Sequence, residues 1–378
     1  MAIIFGKTLK HMVGALALGL ALTSSAVARS ITINVDSSLA EYLIGMVCSH
    51  KPVNAEALKA NPALQSQIKH HSNLSETRSF GAFLAGLEAA SACTVPAQDP
   101  YAFGDLVRER KKFESAVSFF KSKQAEIESF VRESLSAYAP KDLNYEGNLV
   151  LSVVGNKCGG FSMDGQFFLA LNCLRGTYES EEETAKLIAA HEIFHDMQYE
   201  FFFPFEEDMA RVKTLDDAFD YLFMNLTLEG TAEFVADSRN VTGNGMLSDY
   251  LRRTTQGANH QIPYLIRLFG YSAEMLKDDG KLKQRVKDLY SLGFGGNNGQ
   301  LFYYVGAAMA RHIEATYGRE ALVCIMAKPP EQFMRAYNAA AVNTSGEATP
   351  PLGDAMMTAA NRLSDTRTDD QLYEMCIQ

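Results

Sequence analysis

No tryptophan occurs in the 378 residues, none of the six cysteines stands in a Cys-x-x-Cys pair, and Lys and Arg are never gathered into a dense basic stripe. The missing Cys-x-x-Cys spacing argues against a cysteine-held metal cluster. The missing basic stripe, with 35 basic against 45 acidic side chains and a formal charge of −10, argues against nucleic-acid binding, which draws most of its affinity from clustered cations. Beyond the N-terminus no segment has the length or apolarity of a membrane span, which needs about 20 apolar residues. The Gly-rich stretch from Leu292 to Gln300 lacks the Gly-Lys-Ser/Thr that closes a phosphate loop, so it reads as a mobile connection and not a nucleotide site.

What is present begins with a leader. Lys7 and Lys10 precede an apolar run from Met12 to Leu22, and Ala26-Val27-Ala28 offers a small-residue cleavage site. Residues 1–28 are expected to be a secretory signal peptide cut after Ala28, leaving a soluble periplasmic or secreted protein. Removing Lys7 and Lys10 from the 35 basic residues leaves 33 against 45 acidic, a net −12 over the remaining 350 of 378 residues. In an oxidising compartment the even set Cys48, Cys93, Cys158, Cys173, Cys324 and Cys376 reads as disulfides. Cys158 and Cys173 are the expected pair, because they bracket what reads as a hairpin.

Residues 29–147 read as a mainly helical N-terminal lobe, opening on the alternating Ile31, Ile33 and Val35, a candidate edge strand. Between Leu106 and Tyr138 one apolar face repeats at helical spacing, which predicts one long amphipathic helix or two. His50, His70 and His71 in this part have no spacing to a second ligand and are expected at the surface or at helix caps. From Asn148 the pattern turns to β: Leu149 to Val154, a loop containing Gly159, Gly160 and Gly165, then Phe167 to Leu171, read as an antiparallel pair. The rest, to residue 378, reads as helical. The expected fold class is α+β, predominantly α, with one domain in two lobes and residues 148–378 as the catalytic region.

Chemistry enters with a helix that Ser180-Glu181-Glu182-Glu183 should start as a capping box and that should end before Pro204. It carries His191-Glu192-Ile193-Phe194-His195. At 3.6 residues per turn the two histidines lie one above the other, so both imidazoles can reach one ion. Glu192 sits about 100° round from His191, beside the ion and not on it, where it suits a general base acting on a metal-bound water. Imidazole ligands and an open coordination position point to zinc. Further on, Leu228-Glu229-Gly230-Thr231-Ala232-Glu233 places two carboxylates one turn apart amid apolar residues, a costly setting unless they meet a cation or a ligand histidine. Gly230 leaves room for a facing helix, and Asp237 is expected to face solvent.

These two elements together resemble the gluzincin metallopeptidases, the group containing the thermolysin and bacterial collagenase families, and especially collagenase-like and uncharacterised zinc-dependent peptidases that write the second element Glu-Gly-x-Ala-Glu. The resemblance implies a thermolysin-like core with a small antiparallel sheet upstream of the zinc helix, whose edge strand aligns an extended peptide. It implies His191, His195 and Glu229 as Zn2+ ligands, Glu192 as the base, and Glu233 as the acceptor behind a ligand histidine. It also implies, through Tyr303-Tyr304-Val305-Gly306, that Tyr303 supports the oxyanion; His260 and His312 are rivals for that role. No Gly-x-Met-Glu-Asn exopeptidase signature precedes the zinc helix. The expected function is thus an exported zinc endopeptidase acting on a peptide or protein. The alternatives are a non-catalytic zinc-containing envelope binding protein and a zinc amidase acting on cell-wall peptides.

Overall fold

The computed structural model describes residues 30–140, 143–155, 159–174, 177–203, 209–276, 281–295, 300–344 and 348–378. The leader and Cys158, and with it the expected Cys158–Cys173 pair, lie outside the described residues, as do residues 296–299 of the Gly-rich connection. Strand β1 (Ser30–Asp36) is followed by helices α1 (Ser38–Met46), α2 (Ala55–Lys59), α3 (Pro62–Leu74), α4 (Phe80–Ser91), α5 (Phe103–Arg108), α6 (Arg110–Ser122) and α7 (Gln124–Ser136). Strands β2 (Asn144–Ser152), β3 (Gly159–Met163) and β4 (Gln166–Ala170) come next. The remainder is helical: α8 (Glu182–Phe201), α9 (Leu215–Val235), α10 (Met246–Leu276), α11 (Leu282–Phe294), α12 (Leu301–Tyr317), α13 (Arg319–Met326), α14 (Pro330–Thr344) and α15 (Asp354–Ser364). The class is α+β and mostly α, as the sequence suggests.

The sheet corrects the antiparallel pair. Its order is β1-β2-β4-β3, and β2 runs parallel to β4 with Leu149 opposite Phe167, while β4 is antiparallel only to β3. The reason is in the residues: Leu149, Val150 and Leu151, like Phe167, Phe168 and Leu169, are buried without alternation, the pattern of interior strands covered on both faces. The chain passes from β2 to the far edge, runs back as β3, and turns at Asp164-Gly165, both at positive φ, into β4. The expected edge strand does lie at an edge, with Ile31 opposite Tyr145, so the sheet joins residues on either side of position 147.

Three other expectations change. The long apolar face between Leu106 and Tyr138 is divided among the end of α5, α6 and α7, with breaks at Glu109 and Lys123. Ser180 does not cap α8: it lies in a 3₁₀ turn, Tyr178–Glu181, and α8 starts at Glu182 with no side-chain cap. Glu181 turns instead to the start of α10, where its buried carboxylate accepts from the amides of Leu247 (2.7 Å) and Ser248 (2.9 Å) and from the Ser248 hydroxyl. This ties the first turn of α10 to the first turn of α8. His71 is not at the surface but is buried in α3 against Tyr101 and Phe161.

Helix α8 ends at Phe201, before Pro204, and packs on β3, β4, α7 and α9, with Ala189, Ala190, Ile193 and Phe194 fully buried. Helix α9 begins at a true capping box, Thr214 with Asp217, and from Ala218 to Val235 almost every side chain is buried, the signature of a central helix. Disulfides join Cys48 to Cys93 and Cys324 to Cys376, with Cα atoms 4.2 and 5.5 Å apart. Among the described residues no helix is long and apolar enough to cross a membrane.

Candidate metal centre

One turn of α8 and one turn of α9 face each other. His191 Nε2 and His195 Nε2 are 3.1 Å apart, and each lies 3.3 Å from Glu229 Oε2. Ligands held tetrahedrally about 2.0 to 2.2 Å from a zinc ion stand about 3.3 to 3.6 Å from one another; both contacts to Glu229 match that spacing and the histidine pair falls just short of it. Among the described residues this is the one cluster of three His, Cys, Asp or Glu side chains that converges in this way. Burial works against ionisation of Glu229, but the adjacent imidazoles outweigh it and hold the carboxyl well below its ordinary range. Burial likewise opposes charging His195, and Glu229 overcomes it, pushing the imidazole up to about 9. The cluster favours positive charge at its centre.

The approach of α9 to α12 supplies the next part. A Cβ on Gly230 would fall onto the Cα of Gly306, and one on Gly306 would fall onto the Leu226 carbonyl oxygen. Both positions must be glycine for the helices to cross this closely, and Gly230 does make the room its place beside Glu229 suggests. The crossing brings Tyr303, one turn before Gly306, over the centre. Its ring stacks on His191 with centroids 5.7 Å apart and 18° between planes, which sets the phenol among the carboxylates of Glu229, Glu192 and Glu233. Burial drives the phenol far above its usual range, so it stays a donor. His312 instead meets Thr344 Oγ1 at 3.2 Å, and His260 is exposed on α10; neither lines the cleft.

Glu192 lies on the other side, against the sheet edge. The Ser162 hydroxyl of β3 donates to the Glu192 carbonyl oxygen at 3.1 Å and reaches its Oε2 at 3.4 Å. A Cβ on Gly160 would stand 2.9 Å from Ile188 Cγ2 and 3.0 Å from Glu192 Cγ, so glycine lets β3 come this near the helix. Burial raises the Glu192 carboxyl above its usual range, toward the pKa of an effective proton acceptor.

Glu233 Oε2 approaches His191 Nδ1 to 4.0 Å, an ion-pair separation and not a hydrogen bond. Its Oε1 accepts from the Ser238 amide (3.3 Å) and hydroxyl, and Ser238 Oγ is 2.8 Å from Thr255 Oγ1 of α10. Asp237 does not face solvent as expected: its side chain is 15% exposed and pairs with Arg239, while Arg311 stands 3.8 Å away. The residue behind His195 is Gln198, whose Oε1 lies 2.8 Å from Nδ1. Neither Gln198 nor Ser162 is picked out by the sequence reading; the one available signal is that Gln198 follows His195 at helical spacing.

These groups open on a cleft of about 600 Å3. His191, Glu192, Glu233 and Tyr303 line it together with Gly159 and Gly160 of β3, and Leu247 and Leu251 of α10 form part of an apolar wall. Leu247 belongs to the turn that Glu181 secures.

In comparison with known proteins, the model of the family described as "Putative zinc dependent peptidase (DUF5700)" matches residues 58–345, more than half of the chain. No curated protein and no solved structure matches. The match starts at Leu58, well before α8, and extends through α12 to the end of α14.

Proposed function

The chain belongs to this zinc dependent peptidase family, and on that premise we propose that it is an exported endopeptidase of the gluzincin type, hydrolysing peptide or protein substrates. The observation that carries the reading is the convergence of His191, His195 and Glu229 at the spacing of a tetrahedral zinc site, with Glu192 beside it in an open cleft. A thermolysin-like arrangement is supported by the edge strand β3 lying against the zinc helix and by the second ligand element on the following helix. Export is supported by the leader sequence and by two disulfides.

Zinc, when bound by these three side chains, polarises a carbonyl and acidifies water. Glu192 accepts the proton of the attacking water and returns it to the leaving amine, a transfer favoured by its raised pKa. Ser162 holds the Glu192 carboxylate toward the sheet edge, so the base is oriented by the strand along which an extended substrate would lie. Tyr303 donates its hydroxyl proton toward the oxygen on which charge develops. Glu233, anchored by Ser238, stands behind His191 on its Nδ1 side.

The test is peptide hydrolysis by the purified mature protein with and without a chelator, alongside Glu192→Gln. Chelation should abolish cleavage and added zinc restore it. Glu192→Gln should retain zinc and lose activity by about 10²-fold to 10⁴-fold, the usual size of a lost general base. Undiminished cleavage by that variant would refute the assignment.

A further inference from the structure

Gln198 is three residues beyond His195, and its buried side chain reaches both helices that carry the ligands. Its Nε2 donates to the Leu228 carbonyl oxygen at 3.1 Å and to Thr231 Oγ1 at 2.6 Å, while its Oε1 lies 2.8 Å from His195 Nδ1. A backbone carbonyl can only accept, which fixes the carboxamide with its nitrogen toward Leu228 and its oxygen toward His195. The amide oxygen can also only accept, so His195 Nδ1 carries the hydrogen of this contact. The other ring nitrogen, Nε2, is the atom 3.3 Å from Glu229 Oε2. Thr231 completes the arrangement: its hydroxyl donates to the Thr227 carbonyl oxygen at 2.7 Å, which leaves a lone pair for Gln198. Leu228 and Thr231 flank Glu229 in sequence, so one amide side chain connects the ring of one ligand to the helix turn that carries another.

We propose that Gln198 is a positioning residue for the zinc site: by accepting from His195 Nδ1 it presents His195 Nε2 to the ion. The proposal rests on His191, His195 and Glu229 being the zinc ligands. Its consequence is a site whose donors are largely set before the metal enters, because the ring orientation is fixed by protein groups that do not themselves touch the ion.

A plain tether between two helices would give the same packing, and the variants separate the two roles. Gln198→Leu removes the acceptor and both donors. Gln198→Glu keeps an acceptor for His195 but cannot donate to Leu228 or Thr231. Thr231→Val removes one bond to α9 and leaves His195 alone. The measurements are zinc affinity by chelator competition on the folded full-length mature chain, and the visible spectrum of its cobalt(II) form. Gln198→Leu should weaken zinc binding by about 10-fold to 100-fold and shift the cobalt bands, the usual effect of losing such a partner. Gln198→Glu should recover most of the affinity, and Thr231→Val should lower thermal stability with zinc affinity unchanged.

Wild-type affinity and an unshifted cobalt spectrum in Gln198→Leu would overturn the proposal. So would a Gln198→Glu protein as weak as Gln198→Leu. Should Gln198→Leu not fold, the comparison of Gln198→Glu with Thr231→Val decides: weak zinc binding by the first with normal binding by the second overturns the proposal, and normal binding by both supports it. A wild-type protein that binds no zinc would refute the ligand assignment itself, a failure seen without any variant.

Discussion

At the scale of single residues, the chemistry is divided among side chains that meet across α8, α9, α12 and β3. Tyr303 stacks on His191 and stays protonated in its setting. Tyr303→Phe keeps the ring and removes only the donor, so kcat should fall by about 10²-fold to 10³-fold with KM little changed, as for loss of one oxyanion donor. A fall in kcat/KM carried entirely by KM would assign Tyr303 to substrate binding. The histidines, Glu192 and Glu229 were legible because helical spacing converts directly into a shared face. Gln198 was not, since an amide one turn past a ligand has no charge to make its burial conspicuous. Ser162 was hidden for a different reason: its partner is 30 positions away, and the strand carrying it begins with two glycines that read as loop.

At the scale of elements, glycine sets the distances. The crossing of α9 and α12 rests on Gly230 and Gly306, where an added Cβ would overlap backbone on the opposite helix. Gly306→Ala should therefore force the helices apart, costing about 1 to 3 kcal/mol of stability as overpacking does, and it should lower activity further by moving Tyr303 off the centre. Unchanged melting temperature and activity would show that the crossing has slack. The Glu-Gly pair and the Tyr-x-x-Gly element were each readable alone, but their meeting was not, because 76 residues separate the two glycines (306 − 230). The sheet was half legible. Two apolar runs are visible as strands, yet a run without alternation does not disclose the direction of its partner, and β3 between them reverses the expected pairing.

Across the whole molecule, the sequence division at residue 147 is bridged by β1 pairing with β2, and the family match likewise spans both sides. The N-terminal helices carry no motif to announce them, and what the structure shows of them is apolar faces packed into the core. Two disulfides close long loops, between positions 45 and 52 residues apart. Such cross-links contribute about 2 to 5 kcal/mol each in secreted domains, so reduction should lower the melting temperature of the folded protein, and an unchanged melting curve under reductant would count against them. Zinc should act in the same direction: at free ion about 1,000 times Kd, linkage adds about 4 kcal/mol, and removing the metal should lower the melting temperature correspondingly.

The central claim is that His191, His195 and Glu229 hold one zinc ion at the cleft. Anomalous diffraction across the zinc absorption edge, on crystals of the purified mature protein, tests it most directly. A single strong peak is expected, bonded by His191 Nε2, His195 Nε2 and a Glu229 carboxylate oxygen at about 2.0 to 2.2 Å. A protein crystallised with zinc that shows no peak there, or a peak held by other residues, would contradict it.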